Sequence, residues 1–396
     1  MAREFAVTAY LFVFRIFFEL FKRFPQKKKT TFVASFGDNI LFAAQEVEKQ
    51  TDDQVVILST SQCHINFKEM LATKQILAFE PSNLINWIQS IYHLATSHKV
   101  FVDNYYGFLA ASSFRSNVEC IQLWHAAGAI KQFGLQDPSN QFRSQRAIDR
   151  FHKVYSNFHH VVVGSERMAT IFKKSFALSN DTILRTGIPR TDFFYDSEAM
   201  NEAKHILEDA FPIIKKKKVI LYAPTFRDDN LASATIELDI EKMYKSLRHD
   251  YVIFLKLHPA INGTFENKFP GFVFNVSSDY RMNDLLVVAD LLITDYSSIP
   301  FEYALLQKPM IFFAYDLETY QKTRGFWEDY ETLVPGPIAF NTDALIDIIM
   351  QASFDMGRVQ QFANQWNLYS KGNASKQLIE ALYVEEAQQV EQPVNI

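Results

Sequence analysis

Residues 283–316, NDLLVVADLLITDYSSIPFEYALLQKPMIFFAYD, constrain the fold more than any other part of this 396-residue chain. Positions 287–294 form a nearly unbroken apolar run, the pattern of a strand covered on both faces and so of a parallel sheet. The run stops at Asp295, and Tyr296-Ser297-Ser298 makes the turn. Either serine can cap the following helix, with Pro300 in its first turn, where a missing N–H costs nothing. Lys308-Pro309 stops that helix, and positions 310–314 read as the next buried strand. The unit is βαβ, and its helix starts at the carboxyl edge of a sheet. Hydroxyls, backbone donors and a helix dipole at such a place suit a phosphate, although an ordinary capped helix in an α/β domain fits the same residues.

The alternation recurs along the chain. Strands are predicted at 31–36, 54–58, 99–102, 120–124, 160–163 and 183–184, enough for a six-stranded doubly wound domain. A second set is predicted at 219–222, 252–257, 272–274, 291–294 and 311–313, after a polar helical junction near 192–214. The length suits two domains, and a composition 48% hydrophobic supplies their cores. The expected architecture is therefore α/β and GT-B-like: two Rossmann-type domains facing a cleft, at 31–200 and 201–385, between an amino-terminal segment 1–30 and a disordered tail 386–396. A net charge of −5 gives no electrostatic case for nucleic acid. The two cysteines, Cys63 and Cys120, form no CxxC pair and no zinc-like spacing, which fits a reduced cytosolic protein with buried thiols.

Residues 5–21 are rich in Phe, Leu, Val and Tyr but interrupted by Arg15 and Glu19, which argues against a spanning helix of about 20 apolar residues. No small-residue cleavage site follows. Lys22-Arg23 and Lys27-Lys28-Lys29 do follow. An apolar helix beside a polybasic segment reads as an in-plane anchor on an anionic cytoplasmic leaflet. Val13, Phe17, Phe18 and Phe21 would enter the lipid, with Lys22 and Arg23 at the headgroups. A core helix followed by a solvated lysine turn is the other reading these residues allow.

The candidate chemistry collects at strand ends. His125 follows a strand and precedes Ala126-Ala127-Gly128, small residues that would let a substrate approach the imidazole, with unusual backbone angles open to the glycine. An imidazole there can take a proton from an alcohol near neutral pH; a core histidine bonded to backbone is equally compatible. His258 sits between Lys256-Leu257 and Pro259, where the chain turns sharply. With Arg227 it could converge on phosphates held near Thr294, Asp295, Ser297 and Ser298, making a pyrophosphate site without a metal. Arg324 lies in a charged, aromatic loop that either closes over a ligand or packs on the surface. Asp228-Asp229 reads as loop rather than as a divalent-cation site.

Taken in order, Trp124-His125, Thr186-Gly187-Ile188-Pro189-Arg190-Thr191-Asp192, Tyr222-Ala223-Pro224-Thr225-Phe226-Arg227-Asp228-Asp229, Leu257-His258-Pro259, Ile293-Thr294-Asp295-Tyr296-Ser297-Ser298, Lys308-Pro309 with Tyr315-Asp316, and Arg324-Gly325-Phe326 with Pro335-Gly336-Pro337 resemble the CDP-glycerol glycerophosphotransferase family of wall teichoic acid synthesis. The resemblance covers roughly positions 101–340. Within the family the chain is similar to members that add a first, single glycerol phosphate. Chain-extending members carry Trp-His-Gly-Thr-Pro where this sequence has Ala126-Ala127, so no role of that threonine carries over. The resemblance implies transfer of one sn-glycerol 3-phosphate from CDP-glycerol to the ManNAc 4-hydroxyl of an undecaprenyl-diphosphate-linked ManNAc-GlcNAc disaccharide, releasing CMP. It implies His125 as base and His258 at the pyrophosphate, with Ser297, Ser298, Arg227 and Arg324 on the phosphates. No metal or cofactor is required on this reading. The implied location is peripheral, at the cytoplasmic face of the cell membrane, where other teichoic acid enzymes are possible partners.

Overall fold

The computed structural model describes residues 2–225, 227, 236–257 and 265–390, the side chains of 2–3 and 384–390 excepted. The chain forms two units. The first comprises Met1–His125, Phe133–Asp192 and Leu368–Ile396; the second comprises Ala126–Gln132 and Phe193–Asn367.

In the first unit, β1 (Lys29–Ala34), β2 (Gln54–Ser59), β3 (Ile76–Ala78), β4 (Lys99–Val102), β5 (Glu119–Gln122), β6 (His160–Val162) and β7 (Ile183–Leu184) make one sheet. Its order is β3-β2-β1-β4-β5-β6-β7, every pairing parallel. β1 and β4 are buried along their whole length, as two-sided burial in a parallel sheet requires. β3 was not predicted: its three residues include no fully buried one, so no apolar run marks it. The strand order reverses between β1 and β4, and the crevice beyond their carboxyl ends is where open α/β sheets bind ligands.

The second unit holds β8 (Lys218–Ala223), β9 (Tyr251–Leu255), β10 (Val273–Asn275), β11 (Leu291–Thr294), β12 (Met310–Phe313) and β13 (Ile338–Ala339). These form a parallel sheet ordered β10-β9-β8-β11-β12-β13, which reverses between β8 and β11. The apolar run at 287–294 is not one strand. Val287 and Val288 close the helix Met282–Val288, and β11 begins only at Leu291. Asp290 makes the corner by accepting the Val219 N–H at 2.8 Å. A buried helix end and a buried strand are both apolar, so periodicity alone merges them. The helix after β11, Ile299–Tyr303, is also shorter than expected and gives way to a 3-10 turn at Ala304–Leu306. So short a helix contributes little macrodipole.

The predicted boundary of 201–385 moves as well. After Asn367 the chain rejoins the first unit. Tyr369 N–H donates to the Gly164 carbonyl at 2.9 Å, and the Asp192 carboxylate accepts the N–H groups of Ala374 and Ser375 at 2.8 Å each, capping the helix Ala374–Val390. Tyr383 then pairs its hydroxyl with Thr30 Oγ1 on β1 at 2.6 Å. Positions 391–396 of the predicted tail lie outside the described residues.

The amino-terminal helix, Ala2–Phe21, packs along the helix Leu84–Thr96. Its buried stripe differs from the predicted lipid face. Phe14 and Phe18 are fully buried, Phe14 against Trp87 and Phe108, Phe18 against Phe114. Phe17 and Phe21 are half-buried against Trp87 and Tyr92. Lys22 reaches Ser113 at 3.4 Å, while Arg23 is exposed. Of the predicted lipid-facing residues only Val13 is exposed; it shares an outer apolar face with Phe5, Phe12, Ile16 and Leu20. Among the described residues no helix is long and apolar enough to cross a membrane. Cys120 is buried and Cys63 half-buried.

Candidate active site

The last ladder bond of β5 is the Leu123 N–H to the Val102 carbonyl at 2.8 Å. The chain then leaves the sheet through Trp124, whose φ of 57° lies in the left-handed region. For a bulky residue this is a true outlier, costing about 1–3 kcal/mol and persisting only where surroundings enforce it. His125 follows directly. Its ring stacks on Phe36 (centroids 4.0 Å apart, 11° between planes) and on Trp124 (4.3 Å, 28°). Its Nδ1 lies 3.2 Å from the carbonyl oxygen of Asp103, just past β4. A carbonyl only accepts, so Nδ1 carries the proton and, in the neutral ring, Nε2 carries the lone pair.

The loop bearing Phe36 is fixed by the same residue. The buried Asp103 carboxylate accepts the N–H groups of Ser35, Phe36 and Gly37 at 2.8–3.2 Å and the Tyr106 hydroxyl at 2.7 Å. Burial pushes this carboxyl above its ordinary range, and the four donors pull the other way. The two strand ends flanking the switch point are thus tied by one side chain, and the imidazole rests on the result.

Ala126, Ala127 and Gly128 do not open a path to the ring: all three are buried. Gly128 is not among the glycines with positive φ. Its small size serves a close approach within the second unit, where an added Cβ would sit 2.3 Å from Phe301 Cδ1. The same segment pairs with the Arg324 loop: Gln132 N–H donates to the Gly325 carbonyl and Trp327 N–H to the Ile130 carbonyl, both at 3.0 Å. The half-buried Arg324 therefore sits at a backbone-stitched corner rather than on a free loop.

At the carboxyl ends of β8, β11 and β12 the structure brings together most of the second predicted group. Thr294 is buried and donates to the Ala223 carbonyl at 2.6 Å, with Ser297 Oγ at 2.8 Å. Asp295 accepts the N–H groups of Thr225 and Tyr296 at 2.8 and 2.7 Å. Ser297 Oγ accepts the Ile299 N–H at 3.3 Å; Ser298 is the helix N-cap residue but makes no side-chain cap bond. Both serines are half-buried. Arg227 differs from the expectation of a guanidinium aimed at a phosphate. It forks onto Asp316 through Nε (2.8 Å) and Nη2 (2.9 Å), reaches Asp295 at 3.1 Å and the Thr225 carbonyl at 2.7 Å. Its plane also lies 4.5 Å from the Tyr320 centroid. Burial alone would lower its pKa; the hydrogen bonds to Asp316 and the charge of Asp295 carry it upward. The Arg227 charge is thus shared between two carboxylates, and the arginine locks three strand ends together. His258 and the Asp228-Asp229 pair lie outside the described residues. Lys256 donates to the carbonyls of Val276, Ser277 and Tyr280.

Residues 17–384 match the model of the CDP-glycerol:poly(glycerophosphate) glycerophosphotransferase family. This chain belongs to that family. The glycerophosphotransferase is 38% identical over 354 residues to the teichoic acid glycerol-phosphate primase of Bacillus subtilis (strain 168), covering 89% of this chain and 91% of the relative. To the enzyme of the same name from Bacillus spizizenii (strain ATCC 23059 / NRRL B-14472 / W23) it is 36% identical over 379 residues, 96% of this chain and 98% of the relative. Its fold is that of the wall teichoic acid polymerase TagF in an H444N variant structure, with a TM-score of 0.80 at 21% identity over 99% of this chain and 100% of that one. It is a transferase of a family that moves glycerophosphate from CDP-glycerol in teichoic acid synthesis.

Sequence reasoning missed Asp103 as an organiser and overlooked the buried amides of Asn39 and Gln122, both of which bond to the backbone of Trp124. A buried Asn or Gln beside a predicted strand end was the available signal, since buried amides must find partners.

Proposed function

We propose that this glycerophosphotransferase adds one sn-glycerol 3-phosphate from CDP-glycerol to the ManNAc 4-hydroxyl of an undecaprenyl-diphosphate-linked ManNAc-GlcNAc disaccharide. Similarity to glycerol-phosphate primases over nearly the whole chain supports the single first addition. The observation that carries the chemistry is the Nδ1 contact of His125 with the Asp103 carbonyl, which leaves Nε2 as the basic nitrogen. The sugar hydroxyl loses its proton to Nε2 while its oxygen attacks the β-phosphorus. The bond from that phosphorus to the bridging oxygen breaks, and CMP leaves with the bonding pair. General-base help of this kind is worth about 10²- to 10⁴-fold. His258 would sit at the pyrophosphate, and Ser297, Ser298 and Arg324 would hold the phosphates. Thr294, Asp295 and Arg227 keep the strand ends in shape around them.

The lipid acceptor also gives the amino-terminal helix a role. Its outer face of Phe5, Phe12, Val13, Ile16 and Leu20 is apolar and exposed, and Lys22, Arg23 and Lys27-Lys28 follow. We infer a peripheral in-plane contact with the cytoplasmic leaflet. The reading is tested by incubating the enzyme with CDP-glycerol and the lipid-linked disaccharide and counting glycerol phosphates per acceptor. One is expected, and more than one refutes a single addition. His125→Ala should bind CDP-glycerol nearly as well as wild type and turn over at least about 10²-fold more slowly; unimpaired turnover refutes the base assignment.

A further inference from the structure

We propose that Asn39 and Gln122 are positioning residues for His125: the two buried amides hold Trp124 in its left-handed conformation, and that conformation aims the imidazole. The inference rests on the reading of His125 as the base. Gln122 is fully buried and Asn39 is 2% exposed, yet neither bonds to another side chain in this network. Gln122 Oε1 accepts the Trp124 N–H at 2.8 Å, and its Nε2 donates to the Asn104 carbonyl at 2.9 Å. Asn39 Nδ2 donates to the Trp124 carbonyl at 2.9 Å, and its Oδ1 accepts the Arg190 N–H at 3.0 Å.

Trp124 is the first residue beyond the ladder, so its N–H and C=O have lost their strand partners, and each finds a buried amide instead. A left-handed tryptophan with unmet polar groups would be doubly unfavourable in a buried setting, and it would relax to an extended conformation. Relaxation would swing the next side chain away. Gln122 also ties down Asn104, the neighbour of the carbonyl that orients the His125 ring. Both the backbone that carries the imidazole and the acceptor that sets its tautomer therefore depend on these two side chains. Asn39 extends the network to Arg190 in the Gly187-Ile188-Pro189-Arg190 turn.

The test is a double-mutant cycle. Asn39→Asp is nearly isosteric, keeps the acceptor for Arg190 and loses the donor to Trp124; Gln122→Glu keeps the acceptor for Trp124 and loses the donor to Asn104. Each variant, checked for folding by its melting temperature, is assayed with CDP-glycerol and the disaccharide-lipid acceptor. Asn39→Asp should lower kcat on the order of 10- to 100-fold while KM for CDP-glycerol stays within about twofold. The same substitution in a His125→Ala background, followed through residual or imidazole-rescued turnover, should cost less than about twofold, because its target is already gone. Gln122→Glu should show the same dependence on His125. An equal loss in the His125→Ala background, or unchanged kcat in Asn39→Asp, overturns the inference while leaving the base assignment standing. Wild-type turnover in His125→Ala alone removes the base assignment and this inference together.

Discussion

Replacing Arg227 with methionine separates a structural guanidinium from a phosphate ligand. Its side chain is 15% exposed, and its partners Asp295 and Asp316 are 3% and 23% exposed. Removing one member of a buried ion pair leaves the others uncompensated and typically costs about 3–5 kcal/mol. Water reaches Asp316 in part, which puts the expected loss at the lower end, about 3 kcal/mol. For domains of 150–250 residues each kcal/mol moves the midpoint by about 2–4 °C, so the melting temperature of the second unit should fall by roughly 6–12 °C. Arg227→Lys should fall between, since one ammonium cannot fork onto Asp316 and also reach Asp295. The assay is calorimetric melting of both variants beside titration with CDP-glycerol well below the transition. A variant that melts with the wild type but binds CDP-glycerol much more weakly would refute the locking role and return Arg227 to the phosphates.

The amino-terminal helix predicts an asymmetric pair. Phe12→Glu with Ile16→Glu should abolish sedimentation with anionic vesicles and leave the melting temperature within about 1–2 °C, whereas Phe18→Ala should cost about 3–5 kcal/mol of stability; vesicle binding that survives the double glutamate refutes the outer-face contact. Lys29, fully buried at the start of β1, sets a pH dependence. Burial, with a smaller push from Lys27, lowers its pKa to about 7 from an ordinary 10.5. Between those values the unfolded chain binds a proton that the folded chain does not, so stability rises as pH climbs from about 7 towards 10.5. Denaturation midpoints at the two ends of that window should differ more in wild type than in Lys29→Met, and equal differences would refute the burial effect.

What was legible in the sequence followed from composition on the scale of a whole strand. β2, β4, β8, β9 and β11 all carry dense apolar residues because parallel strands are covered on both sides, and each was anticipated to within a few residues. β3 and β13 were missed because they are short and only partly buried, with a single fully buried residue between them, so no apolar run marks either. Residues 287–288 were misassigned because burial, which the pattern reports, is common to a helix end and a strand. Among site residues, positions at strand ends were readable and partners were not. Nothing local to Arg227 announces that Asp316 lies across the sheet, and nothing local to His125 points to Asn39. Such pairings arise from strand order, which brings distant turns to one edge. The amino-terminal helix taught the same lesson: its aromatic content was plain, but the choice of inward face depended on Trp87, far along the chain.

The Asp192 carboxylate that receives the N–H groups of Ala374 and Ser375 bears on how the protein is made. Domains usually finish in the order in which a ribosome delivers them. Here the piece that completes the earlier domain, including the Tyr383 hydroxyl on Thr30, emerges only after the whole of the later one. The earlier domain has all its strands by Leu184, but the later one has its last segment by Asn367 and can close while the earlier one still waits for its final helix. A chain released by a nonsense mutation just after position 367 would thus carry every segment of the second unit and an open first unit, so the damage would be felt first in the half that was translated first.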